Sequence, residues 1–389
     1  MRRFPLSVRL LLINQFGVNT GFYLLIPYLA THLTDDLGMS VAMVGIVLGV
    51  RTLSQQGMFL VGGSASDRLG PRRVIISGCA LRTLGFGMFA AGESLAILLA
   101  ASVLSGLAGA LFNPAVRAYI AVEADDKAGA FALFNVFAQA GALLGPVLGS
   151  VLLLWGDFRV SALVAAGIFA LLTIAQAMVL PARAVQPHDG TVIGDWRECL
   201  ANRRFIAFTL ALTGMFALQN QLYLVLPMEA KRATGSASSV AAVFLVSTVA
   251  SLLFQVRITR LLSAKLARGR AIALGLALMG GGFVATALNL GVVGVLVATL
   301  ALAFGVMITH PFVYELIPTF GRENLAGTYF GMFYLASGVV AAVGNAAIGW
   351  ASEVSNTLAS LVCVAIGLVC AGAVLVLHRR GALTKETVG

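Results

Sequence analysis

Acid is scarce in this chain. Only 16 of its 389 residues are Asp or Glu, and charges of both signs make up 11%, against about 25% in a soluble domain. Hydrophobic residues make up 59% and the mean hydropathy is +0.95. A soluble fold of this size has no means of covering that much apolar surface, so the composition reads as a polytopic membrane protein. Lysine occurs four times, never after a glycine, which leaves no G-x-x-x-x-G-K-[ST] loop for ATP. Cysteine is equally sparse. Cys79, Cys363 and Cys370 fall inside apolar runs and Cys199 in the central hydrophilic stretch. With no metal-ligand spacing and no pair across an outer loop, they read as packing residues. Gly85-Phe-Gly87-Met-Phe-Ala90 mimics a dinucleotide-binding string, but it lies in an apolar run with no preceding strand. No nucleophile–base constellation appears, and the expectation is a chain without cofactor or enzymatic activity. Nor is a secretory signal expected: Met1-Arg2-Arg3 leads into an apolar run too long for one, with no cleavage site.

What is present is a series of long apolar runs separated by short basic loops. Twelve runs have the spanning length of about 17–25 residues. They lie at roughly 7–31, 41–65, 74–92, 95–118, 129–154, 159–180, 205–228, 238–261, 271–289, 292–316, 326–350 and 357–377. The net charge of +10 resides in the loops, where it marks topology rather than affinity for nucleic acid. An even count puts both termini on one side. With that side cytoplasmic, only Arg159, Lys231 and Arg232 of the 26 Lys and Arg face outward, and Arg51, Arg82 and Arg117 lie within or at the edge of runs. The cytoplasmic set then includes Arg2, Arg3, Arg183 and Lys385, as short cytoplasmic loops require.

The longest hydrophilic stretch, Pro181 to Arg204, divides the chain into an N-terminal six-helix bundle (1–181), a cytoplasmic linker (182–203) and a C-terminal six-helix bundle with a short tail (204–389). The halves repeat. Phe16-Gly-Val-Asn19-Thr-Gly-Phe-Tyr23-Leu-Leu-Ile-Pro27 recurs as Phe216-Ala-Leu-Gln219-Asn-Gln-Leu-Tyr223-Leu-Val-Leu-Pro227. Asn113-Pro114 recurs as His310-Pro311, and Ala128-Gly129-Ala-Phe131 as Ala326-Gly327-Thr-Tyr329. Three matches near one offset indicate a parallel internal repeat.

Between the second and third runs lies Gly63-Ser-Ala-Ser-Asp67-Arg68-Leu-Gly70-Pro-Arg72-Arg73. This string resembles the signature loop between helices 2 and 3 of the major facilitator superfamily. Run 5 carries Gly141-Ala-Leu-Leu-Gly145-Pro146-Val-Leu-Gly149, which resembles the antiporter motif found mainly in that superfamily's exporters. Generic small-residue packing is the competing reading of the glycines. The resemblance covers essentially the whole chain and is closest to the twelve-span drug/proton antiporter group of bacteria. It implies an all-α integral membrane fold of twelve transmembrane helices in two pseudo-symmetric six-helix bundles. It further implies alternating access in the bacterial inner membrane, with protons and a small-molecule substrate as partners, and a chain acting as a monomer. In relatives the signature loop braces the cytoplasmic side, its Asp lying near the positive end of a helix in the other half. Here the start of run 11, near Leu325, is the expected partner of Asp67. The corresponding loop of the second half reads Arg257-Ile-Thr-Arg260-Leu-Leu-Ser-Ala-Lys265, with no Asp.

Several residues depart from the family pattern or invite two readings. Run 1 offers Asn14 and Asn19 where many proton-coupled exporters carry an acid, and Val103 stands where the superfamily has a span-4 arginine. Arg51 and Arg82 lie near mid-membrane, where a charge costs at least about 2.5–3.5 kcal/mol unless it meets water or a partner. They either hydrogen-bond internally, to carbonyls or to Gln55 and Gln56, or serve substrate or ion coupling. Asn19, Tyr23, Gln219, Asn220, Gln221 and Tyr223 form matching polar patches of runs 1 and 7, readable as a substrate cavity or as polar glue between helices. Glu315 and His310 are the candidates for proton coupling. Glu315 is otherwise a partner for Arg322 or another interfacial charge, and His310 a packed residue. The functional expectation is proton-coupled export of amphipathic organic compounds. The alternative is a narrow exporter or uptake carrier for one metabolite, an anion neutralised by Arg51 and Arg82.

Overall fold

The computed structural model describes residues 4–182, 190–236 and 238–383. Arg2, Arg3, Arg183 and Lys385 lie outside the described residues, which are helical with no strand among them. The elements in chain order are α1 (Leu6–Thr31), α2 (Val41–Gly57), α3 (Phe59–Leu69), α4 (Pro71–Ala91), α5 (Leu95–Glu123), α6 (Lys127–Trp155), α7 (Phe158–Val179) and α8 (Val192–Ala201). There follow α9 (Arg203–Gln219), α10 (Val225–Thr234), α11 (Ser238–Lys265), α12 (Arg268–Gly281), α13 (Val284–Ala287), α14 (Gly291–Leu316), α15 (Ala326–Val354) and α16 (Asn356–Arg379). Among the described residues, eleven helical segments are long and apolar enough to cross a membrane, and the bent pair α2–α3 makes a twelfth. Only helices satisfy every backbone group within a single segment in lipid. Small polar residues cap several of their starts: Ser94 Oγ accepts from Ile97 N–H, Asp157 from Val160 N–H, Asn202 from Phe205 N–H and Ser355 from Leu358 N–H.

Three runs expected to be continuous are broken. Run 2 bends by 45° at Met58, directly after Gly57, where the missing side chain weakens the helix. Run 7 passes through a 3₁₀ turn at Asn220–Leu222 before α10 begins. Pro227 then sits in the first turn of α10, where its missing N–H costs nothing. Run 9 gives way at Gly280-Gly-Gly282 between α12 and α13. The linker, read from sequence only as hydrophilic, contains α8, and its Cys199 is buried along with Cys79, Cys363 and Cys370.

The chain forms two compact units. The first comprises Met1–Asp125, Phe137–Arg197 and Gly321–Leu335; the second comprises Asp126–Val136, Glu198–Phe320 and Ala336–Gly389. Each thus includes the first turns of a helix whose remainder belongs to the other: α15 for the first unit and α6 for the second. In the first unit α4 packs on α5 and α7, α2 on α5, and α1 on α7. In the second, α12 packs on α14 and α16, α11 on α14, and α9 on α16. These are the same pairings between equivalent spans, as the repeated sequence motifs anticipate. Phe86, Phe112 and Phe169 are fully buried in the first unit; Phe205, Phe208 and Phe312 are so in the second. Leu154, Leu171, Val343 and Val369 are exposed, a cost in water that lipid contact would remove.

Candidate functional site

The signature loop is built on a helix junction. Leu69 ends α3, Gly70 adopts φ 88° and ψ 138°, and Pro71 opens α4. A residue with a side chain is strained at that φ, and proline is suited to the first helical position. The junction fixes Asp67 one turn back on α3, aimed at the start of α15. Asp67 Oδ1 accepts from the Gly327 N–H (2.8 Å), and Oδ2 accepts from the Thr328 N–H (2.6 Å) and the Thr328 hydroxyl (2.7 Å). The residue before α15 is Leu325, which has no side-chain acceptor. Asp67 therefore provides in trans the carboxylate that a helix N-terminus favours. The partner lies two and three residues beyond Leu325, the residue singled out from sequence. Close approach needs small residues on both sides. A Cβ on Gly63 would collide with the Gly327 carbonyl, and one on Gly327 would come within 2.7 Å of Asp67 Oδ1.

The second half supplies an instructive contrast. The matching helix start, α6, is capped by its own chain, Asp126 Oδ1 accepting from the Gly129 N–H at 2.8 Å. Where the second-half loop has no Asp, the helix start carries one.

The arginines of the signature loop take separate roles. Arg68 donates to the Gly190 carbonyl and to Asp195 Oδ2, both at 2.7 Å, and Asp195 is 3% exposed. Trp196 Nε1 donates to Ser64 Oγ at 2.8 Å, and Ser64 lies 3.3 Å from the Thr328 hydroxyl. Asp195 and Trp196 belong to α8, so the linker helix is part of the same cluster. Sequence reading missed them; the available signal was the amphipathic string Val192-Ile-Gly-Asp195-Trp196-Arg-Glu-Cys199 inside an otherwise polar stretch. Arg72 donates to the Ala177 carbonyl at the end of α7, and Arg73 is exposed.

The glycines of run 5 lie against α1. A Cβ at Gly141 would meet the Phe16 carbonyl and one at Gly149 the Leu24 carbonyl, while one at Gly145 would stand 2.7 Å from Tyr23 Cβ. Each glycine thus lets two backbones touch. Tyr28 Oη donates to the Pro146 carbonyl at 2.6 Å, pinning α1 to α6 one turn further out. In the second unit a Cβ at Gly344 of α15 would stand 2.7 Å from the Ala217 Cβ of α9 rather than against a backbone carbonyl, and no proline follows.

The polar patches divide between packing and exposure. Asn19 accepts from Gln15 Nε2 at 2.9 Å and donates to the Ala138 carbonyl at 2.8 Å, joining α1 to α6. Asn14 accepts from Gln176 Nε2 at 2.8 Å in a buried site. Gln221 donates to the Ala217 carbonyl and to Asn345 Oδ1. Tyr23 is half-buried against Phe22, Tyr223 is exposed beside Phe244, and Gln219 and Asn220 are half-buried at the break before α10. Arg51 and Arg82 come together around one ring: their guanidinium carbons lie 5.2 Å and 5.9 Å from the centroid of Phe22. Arg51 also donates to Gln55 Oε1 at 3.3 Å.

On α14, Glu315 forms a two-pronged ion pair. Arg268 Nε donates to Oε2 at 2.9 Å and Arg268 Nη2 to Oε1 at 3.0 Å. Of the two interfacial readings, the partner is Arg268, at the start of α12, rather than Arg322. His310 is buried between Phe216 and Tyr314, with ring centroids at 6.0 Å and 5.3 Å.

Residues 11–345 match the family model described as Major Facilitator Superfamily. An uncharacterized MFS-type transporter of Mycobacterium tuberculosis is 41% identical over 389 residues, covering 96% of this chain and 93% of the relative. The multidrug resistance protein MdtH of Salmonella newport is 30% identical over 355 residues, covering 90% of this chain and 87% of its own length. Among solved structures, the E. coli fucose:proton symporter FucP superposes with a TM-score of 0.81 at 16% identity, covering 96% of this chain and 99% of that one. The human organic anion transporter MFSD10 gives 0.72 at 18%, covering 96% and 98%. The last two show the fold alone. The chain belongs to the major facilitator superfamily, a family of secondary membrane transporters and not of enzymes.

Proposed function

We propose that this transporter exports amphipathic organic compounds from the bacterial cytoplasm in exchange for protons, by alternating access. The observation that carries the reading is the stripe Gly141, Gly145, Pro146 and Gly149 seated on the backbone of α1, the arrangement the antiporter motif leads one to expect. The relatives named multidrug resistance protein, at 28–30% identity, support it. In this reading residues 1–181 and 204–389 form the two six-helix bundles, 182–203 is the linker, and both termini are cytoplasmic. The protein acts as a monomer in the inner membrane.

Asp67 is the conformational latch. Its three accepted hydrogen bonds hold the start of α15 while the cytoplasmic side is sealed, and breaking them accompanies opening to the cytoplasm. Arg68 and Arg72 hold the loop itself in register. Glu315 is the proton site: protonation removes its charge and frees Arg268. His310, on the same helix, is its neighbour in the coupling path. One proton moving down 100 mV supplies about 2.3 kcal/mol, enough for a useful concentration gradient of cargo.

Everted membrane vesicles acidified inside test this directly. Adding a cargo compound should release protons at a rate that depends on the transporter and saturates with compound. Vesicles in which no compound of any charge class moves protons would overturn the exchange.

A further inference from the structure

Arg51 and Arg82 form a paired cationic centre that the transport reading leaves without a task. Arg82 is 6% exposed and lies among three rings, 5.9 Å from Phe22, 5.6 Å from Phe112 and 5.5 Å from Phe169. Among the described residues its guanidinium has no hydrogen-bond acceptor and no carboxylate partner, and its Nε is buried. Arg51 stands over the same Phe22 ring and, among the described residues, meets only neutral oxygens, Gln55 Oε1 at 3.3 Å and Thr52 Oγ1 at 3.4 Å. The acids within residues 4–125, 137–182 and 190–197 are occupied or lie at span ends. Asp67 caps α15, Asp195 holds Arg68, Asp36 holds His32, Glu123 accepts from Ser7, and Asp35, Glu93, Asp125 and Asp157 are exposed at span ends. Aromatic faces attract a guanidinium but do not neutralise it. Among the described residues, two positive charges about one half-buried ring therefore lack a counter-anion.

We propose that this centre binds the anionic group of an amphipathic ligand, a carboxylate, sulfonate or phosphate, with the ligand's apolar body against Phe22. Arg51, half-exposed and on the bend-containing second span, makes the direct contact. Its planar fork matches a two-oxygen anion. Arg82 sits behind Phe22 and supplies field rather than contact, since it is buried on all sides. Gln55 orients Arg51 and is itself held by the close approach of Gly109. The ligand's identity as cargo rests on the proposed export function; its anionic class rests on the two arginines alone. An anionic phospholipid headgroup offers the same chemistry as a free organic anion.

The test uses the full-length protein purified in neutral detergent and three probes of one scaffold: naphthalene-2-sulfonate, naphthalene-2-methanol and naphthylmethylammonium. Calorimetry should give an affinity for the sulfonate at least ten-fold above the other two. Arg51→Gln should abolish the preference, Arg51→Lys should retain part of it, and Arg82→Gln should weaken it by several-fold. The Arg51 pair decides the matter if the Arg82 variant fails to fold. Equal affinity for the three probes, or a sulfonate preference that survives Arg51→Gln, would overturn the site. Native mass spectrometry after reconstitution with phosphatidylglycerol separates the two sources. Lipid displaced by the sulfonate supports a cargo site, whereas lipid that the sulfonate never displaces overturns that assignment. Because binding is read without flux, a sulfonate that binds through Arg51 in a protein that moves nothing would sink the export function and leave the anion site standing.

Discussion

Asp67 shows how much one carboxylate can do when the helix it meets has no cap of its own. Leu325 precedes α15, so the free N–H groups of Gly327 and Thr328 find their acceptor on α3. Hydrogen bonds to a charged acceptor contribute about 1.5–3 kcal/mol each, and the positive end of the helix adds up to about 2 kcal/mol when partly buried. Asp67→Asn keeps the shape and loses the charge. It should weaken the capped arrangement by about 1–3 kcal/mol and slow cycling while leaving cargo affinity within about two-fold; binding and turnover measured on one preparation check this. Gly70→Ala places a Cβ at φ 88°, a strain of about 1–3 kcal/mol, and should lower the thermal midpoint of the purified protein. Glu315→Gln removes the acceptor charge facing Arg268. Proton-driven transport should fall at least ten-fold while cargo binding changes little, and unchanged coupled flux would remove Glu315 from the mechanism.

At the scale of elements, the contact of α6 with α1 is made of glycines meeting carbonyls, and it has no room for growth. Gly145→Val introduces atoms where even a Cβ would lie 2.7 Å from Tyr23. Overpacking of this kind costs about 1–3 kcal/mol, and cysteines placed on α1 and α6 should lose their crosslinking yield as the helices separate. The linker helix gives a second prediction. Trp196→Phe deletes the N–H that reaches Ser64 and leaves the ring. A loss of about 1 kcal/mol should show as faster proteolysis of the linker, with no change in cargo affinity. These elements also show where sequence was informative. Apolar runs and the Gly63–Arg73 string are local, so span positions and the signature loop were readable in advance. The bend at Met58 and the broken seventh span were not, because glycine and proline permit a break without dictating one. The roles of Asn19 and Glu315 depended on which backbone carbonyl or arginine lay opposite, information held in the packing of distant segments. Asp195 and Trp196 escaped notice for the same reason.

For the whole molecule, the two halves share their pairings of equivalent spans but not their loop chemistry. One helix start is capped across space by Asp67, the other by its neighbour Asp126. A local cap survives any movement of distant segments, whereas a cap in trans is made or broken by such movement. Under the proposed function, the switching role belongs to the first-half loop. Transplanting an Asp to the Arg257–Lys265 loop should therefore not rescue Asp67→Asn, a result read from transport in cells carrying both changes. The central claim is exchange of cargo for protons, and its most direct test is proteoliposome flux under a clamped pH difference. With oriented protein and equal cargo on both sides, an imposed pH gradient should drive net cargo movement toward the acidic compartment, and reversing the gradient should reverse that movement. Cargo flux of the same size and direction under both gradients would contradict the account.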